Sequence, residues 1–284
     1  MVKVGFVILN YINYEETIRC VNSVLEQEDV EVSVVIVDNG SGNESVMRLK
    51  QEYSDFSDVD IIYSATNLGY AQGNNLGIKH LKDKGCEFIW IANSDTIFTE
   101  KYISKNCVDA YVENIGLINP TSYKLDGTKN TRIFYKKKFL YLRLLKHFAV
   151  EWVYAKVLKK SKKAEGYFVE DGDTIIDYTK SGIHTVHEDQ YVVTGSVFLL
   201  TKDFLKYYDG LFPKTFLYGE EYATIVLLHK ASLKTSEVDT GMVLHKHQAS
   251  TPPDKNLTKC YLMDSLAEIT KLIFMGTGKV VRKY

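Results

Sequence analysis

The sequence lacks the marks of several large protein classes. Its four cysteines, Cys20, Cys86, Cys107 and Cys260, form no CxxC pair. Their spacing fits neither a zinc knuckle nor a disulfide framework, and such sparse use suits a reducing compartment. No run of 18 apolar residues occurs, so no membrane-spanning helix is expected. The opening residues, Met1-Val2-Lys3-Val4-Gly5, lead straight into a strand-like run. They carry neither the apolar stretch nor the small-residue cleavage site of a signal peptide. Charge of either sign is not in excess: the net charge is −1 and the pI about 6.7. That argues against a chain-wide nucleic-acid footprint. Internal repeats, low-complexity tracts, a GxGxxG fingerprint and a P-loop GK[ST] are all missing. The usual dinucleotide and NTPase readings therefore lack their signal. The expected setting is cytoplasmic.

What is present is a regular alternation. A chain of 284 residues with 45% hydrophobic content suits one large α/β domain or two small ones. Apolar runs at 2–9, 32–37, 59–64 and 87–92 read as buried strands. Between them, 15–27, 43–52 and 70–85 have helical spacing. Strand and helix in this order imply a parallel sheet with right-handed crossovers. Further on, 191–201 and 241–251 read as strands, 216–231 turns from loop into helix, and 256–275 is a closing helix.

Ligands in such sheets bind beyond the carboxyl ends of the strands. Each of the first four strands ends in polar or glycine residues: Asn10 and Asn13, then 38–43, then 66–75, then 93–96. Converging on one rim, they make a polar pocket. Each stretch also has a bland reading. Asp38-Asn39-Gly40 is a strong turn former. Gly69 and Gly73 either turn the chain into a helix or let its backbone approach a ligand. A helix starting near Tyr70 would favour a diphosphate. Ser94, Asp95 or Thr99 could cap a following helix, most simply Thr99. Glu220 and Glu221 could be a solvated helix start.

Six motifs occur in register: VDNGSGN (37–43), NLGYAQGNNLGI (67–78), NSDT (93–96), TGSVFLLTKDFL (194–205), FLYGEEYA (216–223) and HKHQAST (245–251). Together they resemble the family-2 inverting glycosyltransferases of the rhamnosyltransferase-like group, over almost the whole chain. The resemblance implies an α/β GT-A fold, a UDP- or dTDP-linked sugar donor, a saccharide or lipid-linked acceptor, and Mn²⁺ or Mg²⁺. It implies donor contacts at Asn10, Asp38, Asn67, Gly69, Asn75 and Ser94. It places the metal at Asp95, with His245 or His247 as a further ligand or diphosphate contact and Ser250 ending the pattern. Glu221 stands at the position of the base, Glu220 beside it, and Gly195, Ser196 and Tyr218 fall on the acceptor side. Three departures stand out. Asn93 replaces the first acid of the Asp-x-Asp-type motif, Glu221 replaces the usual Asp, and Ala223 and Leu227 occupy positions that often hold an Asp and an Arg. A weakened, nucleotide-sugar-binding scaffold subunit is the alternative reading. In domain terms, 1–120 is the donor half of a single GT-A domain, 121–252 the acceptor half, and 253–284 a C-terminal helix.

Residues 136–163 hold ten Lys or Arg against one acid, Glu151. Helical spacing puts Arg143, Lys146, His147 and Glu151 on one face and Leu144, Leu145, Phe148 and Trp152 on the other. Such a segment either packs on the core or lies on anionic lipid at the inner face of the plasma membrane.

Overall fold

The computed structural model describes residues 1–130, 132–156, 184–246 and 255–281. The chain opens with β1 (Lys3–Asn10), α1 (Tyr14–Leu25), β2 (Glu31–Asp38), α2 (Ser45–Glu52), β3 (Val59–Tyr63), α3 (Tyr70–Asp83) and β4 (Phe88–Asn93). It continues with β5 (Thr96–Phe98), α4 (Ile103–Asp109), β6 (Ile115–Lys124), β7 (Arg132–Lys136), α5 (Leu140–Lys156), β8 (His184–His187) and β9 (Gln190–Thr194). Then come β10 (Val197–Leu200), α6 (Lys202–Tyr207), α7 (Glu220–Lys230), β11 (Lys234–His245), α8 (Lys255–Phe274) and α9 (Thr277–Val281).

The first four strands lie side by side in the order β3-β2-β1-β4, all parallel. The apolar runs explain this. Val4, Phe6 and Ile8 pack on one face with Cys20, Val21 and Val24 of α1. Val7 packs on the other with Ala71, Ile78 and Leu81 of α3. Burying each such large side chain contributes about 1.5–3 kcal/mol, so a strand apolar on both faces belongs in the middle of a sheet. Beyond β4 the order runs β10-β6-β11-β5, with β8 also on β11. Strand β10 is antiparallel to β4 and β6, while β6 and β11 are parallel. Strands from both halves of the chain thus share one mostly parallel sheet.

Three expectations change. The single strand expected at 191–201 is two strands broken at Gly195-Ser196, because β9 leaves to pair with β7 and β10 pairs with β4. Thr99 caps no helix: α4 begins at Ile103, and Thr99 N–H donates to the Met242 carbonyl at 3.1 Å. Leu140, Leu144 and Phe148 of α5 are buried as core residues, but Trp152 is not on that side; it faces outward. His247 and Ser250, and the lysines at 159–163, lie outside the described residues. Among the described residues no helix is long and apolar enough to cross a membrane.

Candidate active site

The parallel registers bring Asn10 level with Asp38 and Leu9 level with Asn93. Neighbouring strands are about 4.8 Å apart, so Asp38 and Asn93 stand roughly 10 Å apart on one rim. At the first station Asp38 is buried. Asn10 Nδ2 donates to Asp38 Oδ2 at 2.7 Å, and Ser41 donates its Oγ–H to the same oxygen at 2.6 Å and its N–H to Oδ1 at 3.1 Å. Thr17 Oγ1 donates in turn to Asn10 Oδ1 at 2.7 Å. Both carboxylate oxygens are therefore occupied, by Asn10 on the neighbouring strand and by Ser41 three residues on. Asn13 acts as the N-cap of α1.

The neighbouring loop is tied down in the same way. Asn39 Nδ2 donates to Asn67 Oδ1 at 3.0 Å and to the Gly69 carbonyl at 3.1 Å, and Leu68 N–H donates to Asn39 Oδ1. Gly69 has φ +81°, and a Cβ there would lie 2.4 Å from the Phe216 carbonyl. Glycine is needed for this contact with the loop before α7. Tyr70 N–H also donates to the Phe216 carbonyl at 2.8 Å, so one free donor at the start of α3 is already taken. Asn75 turns elsewhere: its amide exchanges two hydrogen bonds with the Leu211 backbone, at 2.9 and 2.7 Å.

The Asn93–Asp95 turn between β4 and β5 is fixed from below. Thr96 Oγ1 donates to the Asn93 carbonyl at 2.7 Å. Phe98 is buried against Phe6 and Trp90, with ring centroids 5.7 and 5.4 Å away. Pairing of β5 with β11 sets Thr96 opposite His245, and Lys246 N–H donates to the Asp95 carbonyl at 3.0 Å. Buried Asp95 consequently faces buried His245, Oδ1 to Nε2 at 3.2 Å. Ser94 is half-buried in the turn itself. Among the described residues no three ligating side chains gather to hold a metal. One carboxylate and one imidazole nevertheless suit Mn²⁺, and the carboxylate suits Mg²⁺, when diphosphate oxygens and water complete the shell.

The strand break joins this turn to the paired glutamates. Asn93 N–H donates to the Ser196 carbonyl at 2.9 Å. On the other side of the break, a Cβ on Gly195 would lie 2.1 Å from Glu221 Oε1. Only glycine leaves room for the carboxylate. Tyr70, a residue the motif reading passed over, donates its hydroxyl to the Gly195 carbonyl at 3.3 Å. Burial, then the charges of Glu220, Glu221 and Asp95, raises its hydroxyl well above the usual tyrosine range. One side chain thus senses all three acids. Tyr218 and Gly219 both hold left-handed φ, +68° and +89°, immediately before α7. For Tyr218 that is a strained conformation of the kind found at functional sites. Burial and the charge of Glu221 push the Glu220 carboxyl up to about 8. Burial raises the Glu221 carboxyl as well. Among the described residues, Glu220 Oε1 and Ser196 Oγ are buried without hydrogen-bond partners. Ala223 and Leu227 are core residues.

A cleft of about 430 Å³ is lined by Gln72, Pro213, Lys214, Thr215, Phe216 and Glu268. None of the candidate site residues lines it, so it is separate from the carboxylate site.

A polar rim on a parallel sheet, a carboxylate turn and buried acids at a helix start define a class: an α/β transferase with its site at the strand ends. The profile of glycosyl transferase family 2 matches residues 6–163, more than half of the chain. The chain belongs to that family. The fold is similar to that of S. aureus TarS 1–349 in complex with UDP, with 13% identity and a TM-score of 0.58, over 95% of this chain and 64% of that one. It is also similar to the mannosyltransferase PcManGT from Pyrobaculum calidifontis in complex with GDP-Man and Mn²⁺. Identity there is 11% and the TM-score 0.53, over 90% of this chain and 59% of that one. The chain therefore spans less than two thirds of the length of both neighbours. No curated protein matches it in sequence. The fold is GT-A, a mostly parallel central sheet flanked by helices.

Proposed function

We propose that the chain moves a sugar from a nucleoside diphosphate, UDP- or dTDP-linked, to a hydroxyl of a saccharide or lipid-linked oligosaccharide, with inversion. The observation that carries this is the placement of Glu221 against Gly195, one peptide from Ser196, whose carbonyl anchors the Asn93–Asp95 turn. Glu221, as base, takes the acceptor proton while the hydroxyl attacks the anomeric carbon. Its raised affinity for protons suits that task. Glu220 orients the acceptor with Gly195, Ser196 and Tyr218 around it. Asp95 and His245 would hold Mn²⁺ or Mg²⁺, which neutralises charge on the leaving diphosphate when bound. Asn10, Asp38, Asn67, Gly69 and Ser94 form the nucleotide side, where Asp38 meets the base by exchanging Ser41 for the ligand. The UDP in one neighbouring structure and the GDP-Man and Mn²⁺ in the other support a nucleoside-diphosphate donor and a divalent metal. Residues 1–120 act as donor half and 121–252 as acceptor half. The setting is cell-surface polysaccharide assembly at the inner face of the plasma membrane.

Incubation of the protein with UDP- and dTDP-sugars, Mn²⁺ and saccharide acceptors, with NMR of the product, tests the proposal. An inverted anomeric linkage is expected. A retained linkage overturns the single-displacement mechanism. Ala223 and Leu227 sit in the core, where a family Asp and Arg would bring charge. This favours one second reading, a scaffold that binds donor without turnover. Donor-induced thermal stabilisation with no product for any acceptor would support it.

A further inference from the structure

Helix α5 has two apolar faces, and the core uses only one. Leu140, Leu144 and Phe148 are buried, with Phe148 5.7 Å from the ring of Tyr222, the residue after Glu221. On the outer side Leu142 is 67% exposed, Trp152 54% and Val153 41%. Leu142, Lys146, Ala149 and Val153 follow a 4-3-4 spacing, so they form one stripe with Trp152 beside it. The stripe runs about 16 Å along the helix. At its head stands Phe139, 66% exposed and held at φ +58°. A bulky residue in the left-handed region is strained, and here that conformation holds a phenyl ring in solvent. The exposed charges of the helix and its lead-in nearest the stripe are lysines, while exposed Glu188 and Asp189 stand beside Lys137. Lys136, Lys138 and Lys146 are exposed, and Lys138 Nζ lies 5.5 Å from the Phe139 ring centroid. Lys137 is different: it donates to the His187 carbonyl and belongs to the fold.

We propose that this outer face of α5, headed by Phe139, docks on an anionic lipid surface. Phe139, Leu142, Trp152 and Val153 enter the boundary between headgroups and acyl chains, and Lys136, Lys138 and Lys146 meet lipid phosphates. Aromatic and aliphatic anchors on one stripe, with Lys146 among them and Lys136 and Lys138 at its head, fit that boundary. The buried face of the same helix touches Tyr222, so docking would bring the acceptor side of the site towards the bilayer. The inference stands apart from glycosyl transfer, because its test reads binding and not turnover.

The test is flotation of the whole chain with vesicles of phosphatidylcholine alone or of an equal mixture with phosphatidylglycerol. Binding is expected on the mixed vesicles only, and it should weaken as salt rises. K138Q/K146Q should lose roughly tenfold or more in binding to them. L142Q/W152Q changes only exposed side chains and should lose binding while keeping the wild-type melting temperature. Equal flotation of wild type and both variants overturns the proposal, as does failure of the wild type to bind mixed vesicles. A concentration-dependent dimer abolished by L142Q/W152Q would also overturn it and assign the face to a second copy.

Discussion

The two proposed sides of the site differ in how their polar groups are satisfied. On the proposed nucleotide side most polar groups satisfy one another, Asn74 Oδ1 excepted. Asp38 takes hydrogen bonds from Asn10 and Ser41, and Asn39 links Asn67 to Gly69. On the acceptor side, buried polar atoms are left without partners. Glu220 Oε1 and Ser196 Oγ have none among the described residues, Tyr218 is strained, and two adjacent acids share a helix start. An unsatisfied buried polar group costs about 1–3 kcal/mol. A fold tolerates several of them together where a ligand or a reaction completes them. The nucleotide side is a frame, and the acceptor side is where chemistry is prepared.

The largest effects should come from the prepared side. Asp95→Ala removes the carboxylate that faces His245. Metal-dependent transfer should fall at least a hundredfold, with an unchanged circular dichroism spectrum. Transfer at the wild-type rate would return NSDT to the role of a plain turn. Gly195→Ala comes next. Its methyl would displace Glu221 Oε1, and a misplacement of about 1 Å can cost on the order of a hundredfold in kcat. Donor binding, followed by calorimetry, should hardly change.

The nucleotide side should respond in stability before rate. Asp38→Asn leaves Asn10 Nδ2 and Ser41 competing for a neutral amide, at a cost of about 1–3 kcal/mol, read in urea unfolding. If stability holds and only donor affinity drops, the comparison is reversed, because Asp38 then serves the ligand and not the frame.

The smallest effect is in pH dependence. An acid raised from an ordinary 4.5 to about 8, as Glu220 is, holds its proton in the folded state and loses it in the unfolded one. Stability should therefore fall as pH rises from about 4.5 to about 8. Glu220→Gln should flatten that slope. The acidic limb of the pH–rate profile should stay in place, because Glu220 is already neutral at those pH values. A limb that moves would show that Glu220 carries charge there.

Much of the donor half was legible because its strands are apolar on both faces and its helices periodic. Val4, Phe6, Val7 and Ile8 could only be a central strand. The site was legible as motifs, but not as contacts. Nothing local in TGSVFLL says that the chain breaks at Gly195-Ser196, since the run remains apolar on either side. The break follows from pairing with two different strands, β7 and β4. Tyr70 escaped notice for a similar reason: its hydroxyl meets Gly195, 125 residues further on. Ser41 was nearer to hand, because Asp-Asn-Gly-Ser is a turn pattern in which the fourth residue bonds the first. The two faces of α5 show the limit of periodicity. Spacing alone allotted Trp152 to the side of Leu144 and Phe148, but Phe148 is buried and Trp152 is exposed.

The central claim is that Glu221, seated on Gly195, is the base of a glycosyl-transfer site shared with the Asn93–Asp95 turn. It is tested most directly by measuring donor binding and transfer in the same preparation of Glu221→Gln. The expected result is a donor affinity within about twofold of wild type and a rate lower by a factor of roughly 10²–10⁴, the usual contribution of a general base. Equal product from wild type and Glu221→Gln would contradict it.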